Sequence, residues 1–228
     1  MKLLLSGTIL RRSPSIILCF ALGLTAARFS PEPGYKPRRW EAGARESYPA
    51  RLTSQGVTIA VQAMYTDRMA ASVFDVDDMV TRGIMPLAVV IFNDNAFPVE
   101  VEGDTIEWIS EGRHVGTLPP EQAAMICLQK GKRNVLVPRL PTPRIPGAAK
   151  LDQHALDDFR QKFLGKRTVA GGSREAGFLY IAAPAGELRE LVRDSRVYIP
   201  GLRRRDDGSA LIFFEIDLEP SLAAPSPQ

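Results

Sequence analysis

Apolar and polar positions along this chain fall into runs whose period changes from segment to segment. In Val57-Thr58-Ile59-Ala60-Val61-Gln62-Ala63 the branched apolar residues occupy every second place, the signature of a half-buried strand. Residues 84–92 are apolar throughout and rich in Val and Ile, which predicts a central strand buried on both faces. Pro86 then belongs near its start, where a missing N–H harms the ladder least. Asn93-Asp94-Asn95-Ala96-Phe97-Pro98 reads as a turn, because Asn and Asp tolerate left-handed backbone and Pro fixes φ. The next strand places Val99 and Val101 on one face. After Gly103-Asp104 the inward pair becomes Ile106 and Trp108, at even instead of odd positions. Side chains in a strand alternate with period 2, so this slip predicts a bulge or break near Gly103.

The middle of the chain changes to helical spacing. From Pro119-Pro120-Glu121 to Lys130-Gly131 there is Pro at a helix start, an acid in the first turn and Gly past the end. Residues 138–147 hold four prolines and read as an extended connector. Asp152 has the place of an N-cap, with Leu151 and Leu156 as a hydrophobic staple. Leu156, Phe159 and Phe163 then form one helical face, which Gly165 ends. Strands return at residues 178–182 and 196–199, and a last one over 211–218 turns Phe214, Ile216 and Leu218 inward. Asp207-Gly208, between these last two, is a hairpin signal.

The N-terminus reads differently from all of this. Residues 1–27 carry Lys2, Arg11 and Arg12, then an apolar run over 16–24, then Thr25-Ala26-Ala27. A basic start, a short apolar stretch and small residues before the junction are the marks of a cleaved secretory signal. The run is shorter than the roughly 20 residues that cross a hydrocarbon core, although a retained anchor is the alternative. Residues 28–55 form an extended N-terminal segment with regular structure beginning at Gly56. Residues 219–228 have little to bury and read as a disordered tail.

Charge and cysteine count narrow the function classes. The formal charge is +3, and residues 1–27 contribute three bases and no acid, so the chain beyond them has as many bases as acids. A neutral chain lacks the basic surplus that carries nucleic-acid or anionic-membrane binding. Beyond the leader, Cys127 is the sole cysteine, so no intrachain disulfide forms there.

Strands at both ends and a helical middle predict a mainly β fold: an antiparallel β-sandwich over 56–218 with a partly helical insertion at about 111–175. The unit Gly-Ile-Met-Pro-Leu-Ala-Val-Val-Ile-Phe-Asn-Asp-Asn-Ala-Phe-Pro-Val-Glu-Val, residues 83–101, resembles the strand–Asn–turn–strand core of immunoglobulin-like domains in uncharacterised exported bacterial proteins. Weaker echoes occur in Gly177-Phe178-Leu179-Tyr180 and Val197-Tyr198-Ile199-Pro200-Gly201-Leu202. The resemblance implies an immunoglobulin-like fold and no chemistry.

Candidate chemistry is sparse. Asp75, Asp77 and Asp78 offer three hard oxygens for Ca²⁺, but lack the glycine and glutamate spacing of an EF-hand. The same stretch reads as a helix with Met69, Val73, Val76 and Val80 on one face and the aspartates in solvent. His114 and His154 lie far apart in sequence, and Cys127 sits in an apolar helical run where thiols behave as small core residues. Arg203, Arg204 and Arg205, followed by Asp206-Asp207, read as a solvated hairpin tip or as a docking point for an acidic partner.

No cofactor motif is found. The sequence therefore favours an exported, non-catalytic interaction or structural module of the cell envelope, periplasmic or extracellular, with an envelope protein as partner. It implies no nucleic acid and no membrane span after cleavage. The alternative is an exported hydrolase or small-ligand binder with a pocket between insertion and sandwich.

Overall fold

Ten consecutive residues without an exposed side chain, Ile84–Asn93, form the strand on which the rest is assembled. The computed structural model describes residues 34–128, 152–184 and 188–223. In chain order the elements are β1 (Arg51–Ser54), β2 (Val57–Ala63), α1 (Asp67–Ala71), β3 (Ile84–Asn93), β4 (Val99–Glu102), β5 (Glu107–Ser110), β6 (Arg113–Leu118) and α2 (Pro120–Leu128). Then come α3 (Gln153–Lys162), β7 (Lys166–Val169), β8 (Ser173–Ala182), α4 (Leu188–Arg193), β9 (Ser195–Ile199), β10 (Arg203–Arg204) and β11 (Phe214–Asp217). The leader, the proline connector 138–147, Leu151 and residues 224–228 lie outside the described residues.

The fold is mainly β. Eight strands make one antiparallel sheet in the order β1-β2-β3-β8-β6-β5-β9-β11, and β10-β4-β7 form a smaller one. The large sheet curls until its two end strands, β1 and β11, approach each other without a ladder between them. The result is a nearly closed, barrel-like sheet. A main-chain to side-chain bond crosses close to the gap: Ile212 N–H donates to Gln55 Oε1 at 3.2 Å.

Packing explains where sequence pattern and structure differ. On one face of the central strands Ile59, Val61, Leu87, Val89, Ile91 and Leu179 pack together in register. The opposite face, with Ala60, Val90 and Phe92, is covered by Tyr48, Trp40 and Ala42 from the N-terminal segment. That cover makes β2 buried on both faces, where its alternation predicted one. The buried Thr58 hydroxyl meets Thr53 Oγ1 at 2.8 Å across the ladder.

β1 lies five residues before the expected start of regular structure. Its residues are mostly exposed, so they carry no apolar alternation to read. The helix expected over 69–80 runs only from Asp67 to Ala71, yet Met69, Val73, Val76 and Val80 are all buried. Asp67 accounts for the early stop: its carboxylate accepts from Val80 N–H at 2.7 Å and Thr81 N–H at 3.0 Å, which folds the chain back. The phase slip at Gly103 is a 3₁₀ turn, Gly103–Thr105, that sends β4 and β5 into different sheets. Residues 111–175 contribute α2 and α3, and also β6 to the large sheet and β7 to the small one. Residues 219–223, expected to be disordered, form a 3₁₀ turn in which Ser221 is buried and bonded to Leu218 O.

Asn93 at the end of β3 joins the two turns. Its Nδ2 donates to Phe97 O at 2.8 Å and Val169 O at 3.1 Å, while its Oδ1 accepts from Asn95 N–H at 3.1 Å. With no solvent exposure, these groups depend on each other for hydrogen bonding.

Candidate functional site

Two places depart from a closed, satisfied surface: a cleft under the N-terminal strap and the gap between β1 and β11. The strap is the extended stretch 34–42, which crosses α3 and β8. Tyr35 N–H donates to Asp152 Oδ2 at 2.9 Å, and the same carboxylate caps α3 by accepting from His154 N–H at 2.9 Å. Asp75 holds the next part, accepting from Lys36 N–H at 2.9 Å and pairing with Arg38 at 3.1 Å. Both carboxyls sit below the usual carboxylate range. The Lys36 N–H is the main cause for Asp75, with Arg38 adding to it, and the Tyr35 N–H is the main cause for Asp152. Trp40 completes the anchorage, edge-on to Phe178 with centroids 4.6 Å apart.

Beneath the strap lies a buried polar lock. Asp158 Oδ2 accepts from Tyr35 OH at 2.6 Å and from Lys162 Nζ at 2.7 Å. The ammonium also donates to Val73 O at 2.8 Å and stands 4.9 Å from the centre of the Phe74 ring. The Asp158 side chain is 3% exposed and that of Lys162 12%, so the pair is largely out of water. Burial pulls the Lys162 pKa down, against the opposing pull of Asp158. Burial, then the bond to Asp158, pushes the Tyr35 hydroxyl up. Asp158 and Lys162 are one helical turn apart beside Phe159, so the i, i+4 acid–base spacing beside an apolar residue was the signal in the sequence.

The cleft beside this lock has a volume of about 510 Å³ and is lined by strap, α3 and β8. Its single lining carboxylate is Asp158, already held on two sides. Neither histidine lines it. His114 is exposed on β6 with Nδ1 2.7 Å from Glu107, and His154 is exposed in the first turn of α3. Cys127 is buried in α2, and burial raises its thiol pKa. Among the described residues Cys127 and the two histidines thus lie on three different elements, α2, β6 and α3.

The residues singled out from the sequence go to separate tasks. Asp75 anchors the strap, Asp78 pairs with Arg82 at 2.7 Å, and Asp77 is exposed. Among the described residues no three His, Cys, Asp or Glu side chains gather as a metal site. Arg203 enters the small sheet opposite Glu100. Arg204 lies over the Phe97 ring at 3.9 Å and bonds Asp206, while Arg205 reaches Thr168 Oγ1 at 3.2 Å. No helix among the described residues is long and apolar enough to cross a membrane.

At the gap, the two end strands each offer one edge without a strand partner among the described residues. Among the described residues the large hydrophobic side chains with high exposure are here: Leu52 on β1 is 40% exposed, and Ile212 and Phe213, leading into β11, are 45% and 52% exposed. Phe213 rests partly on Tyr198 of β9, ring centroids 5.8 Å apart. Sequence reading turned Phe214 inward correctly, which leaves Phe213 beside it on the outward face with Glu215 and Asp217.

The sequence matches no protein-family model and no curated protein. Among solved structures it is similar to the yjhA protein from Bacillus subtilis, at 9% identity and a TM-score of 0.33, over 67% of this chain and 78% of that one. A likeness of that size carries no argument about fold or function.

Proposed function

We propose that this chain is an exported, non-catalytic interaction module of the bacterial cell envelope, which engages a protein partner through the gap between β1 and β11. One observation carries the reading: Leu52, Ile212 and Phe213 are exposed on the segments that border two unpartnered strand edges. Exposed apolar side chains beside open edges favour strand or side-chain docking. Export rests on the leader read in residues 1–27, and the balanced charge of the rest supports a protein partner over nucleic acid. The immunoglobulin-like relation belongs to the same proposal. It rests on the unit 83–101, whose Asn93 ties the turn after β3 to the residues before β8.

Crosslinking in intact cells of a C-terminally tagged chain, followed by purification and mass spectrometry, tests this. A reproducible envelope partner is expected, lost with Leu52→Lys or Phe213→Asp and kept when Arg203 and Arg205 are reversed to Glu. Recovery of the monomer alone, or a partner indifferent to residues 52 and 213, contradicts the proposal.

A further inference from the structure

A strand edge forms part of the cleft under the strap. β8 pairs with β3 along all ten of its residues, but on its other side β6 reaches only Tyr180 and Ile181. A single parallel bridge from Phe163 meets Phe178 on that side. Among the described residues no strand pairs there over residues 173–177. The direction of the main-chain groups follows from one bond: Phe178 C=O accepts from Leu164 N–H at 3.0 Å, pointing away from β3. Neighbouring residues in a strand send their N–H and C=O to opposite sides, so Ala176, two places earlier, also points away from β3. Ala176 is half-buried and lines the cleft. Gly177 beside it is closed off, since a Cβ there would stand 2.6 Å from Leu164 Cα.

The side chains around this edge define what it would accept. Among the described residues three cations line the cleft, Arg38, Arg39 and Lys162, against one carboxylate, Asp158, which already holds Lys162. Arg38 is tied to Asp75 and to Ala71 O, whereas Arg39 faces Glu41 in a solvent-exposed pair, which exchanges partners at little cost. Trp40, half-buried over Phe178, supplies an aromatic wall.

We propose that the cleft takes an extended acidic peptide segment, which adds a short strand at Ala176 and sets an apolar side chain against Trp40. Main-chain bonds to β8 give the register, and Arg39 selects a carboxylate. None of the residues that line this cleft borders the β1–β11 gap.

The test is a library of random eight-residue peptides displayed on phage and panned against the purified chain. Enriched peptides should alternate acidic with aromatic or branched residues. A labelled copy should bind with anisotropy change, slow the amide exchange of Ala176, and weaken as salt rises. Methylating the peptide's main-chain nitrogens should cost about tenfold or more in affinity, as should Arg39→Glu, while Phe213→Asp leaves it unchanged. No enrichment, enrichment of basic peptides, or binding indifferent to N-methylation and to Ala176 exchange would overturn the proposal.

Discussion

The centre of the eight-stranded sheet and its two ends are built by opposite means. In the centre, β3 is buried along its whole length and its neighbours pair with it residue by residue. Even the charges beside it are enclosed, with Asp158, Lys162 and Tyr35 satisfying one another beneath the strap. At the ends, β1 and β11 approach without pairing and leave Leu52, Ile212 and Phe213 in water. The centre spends its apolar surface and polar groups on itself, whereas the ends keep theirs available. The first region is built for stability, and the second is the surface on which the proposed partner would dock.

The contrast fails most visibly if the polar lock is not a stability element. Asp158→Ala leaves a buried ammonium uncompensated and removes the acceptor of Tyr35 OH, and should cost about 3–5 kcal/mol in urea unfolding. The double replacement Asp158→Leu with Lys162→Met should recover most of that loss, because no unpaired charge is left. Tyr35→Phe keeps the ion pair and removes two bonds, the one to the charged Asp158 and a longer one accepted from Asp75 N–H, so about 1.5–3 kcal/mol is expected by the same measurement. A cost for Asp158→Ala no greater than that of a surface change would erase the distinction between centre and ends.

Acid sharpens the comparison because two carboxylates anchor the strap. Asp75 and Asp152 have folded pKa values below the ordinary 3.8, so their contribution is fully present above that value and is lost as pH falls through the lowered ones. Amide exchange of Tyr35 and Lys36 should therefore speed up, relative to its intrinsic rate, as the pH drops below 3.8, before the β3–β8 ladder opens. Simultaneous loss of both would show strap and sheet to be one cooperative unit. The smallest effect is at the gap: Leu52→Lys and Phe213→Asp should each change unfolding free energy by no more than about 0.5 kcal/mol, since exposed side chains contribute little.

What the sequence revealed follows the same division. β3 was legible because nine apolar residues in a row admit few other readings, and the break at Gly103 because a phase slip has a geometric cost. The burial of Met69, Val73, Val76 and Val80 was legible from helical spacing even though Asp67 stops the helix after one turn. β1 was not, since an edge strand with exposed side chains has no pattern to show. The closing of the sheet was also hidden, because pairing order depends on contacts far apart in sequence. Tyr35 reaches Asp158 across 123 positions, and no local spacing announces such a bond. Reading Asp75 as solvated or as a calcium ligand missed its strap partners, Lys36 and Arg38, for the same reason.

Whether the gap between β1 and β11 is a contact surface is decided by a photo-crosslinking amino acid placed at position 213 in living cells, with position 111, exposed in the turn between β5 and β6, as the comparison. One discrete adduct of higher mass is expected from position 213, absent from 111 and abolished by Leu52→Lys. The same adducts from both positions, or the monomer alone from 213, would show that the gap is not the contact surface.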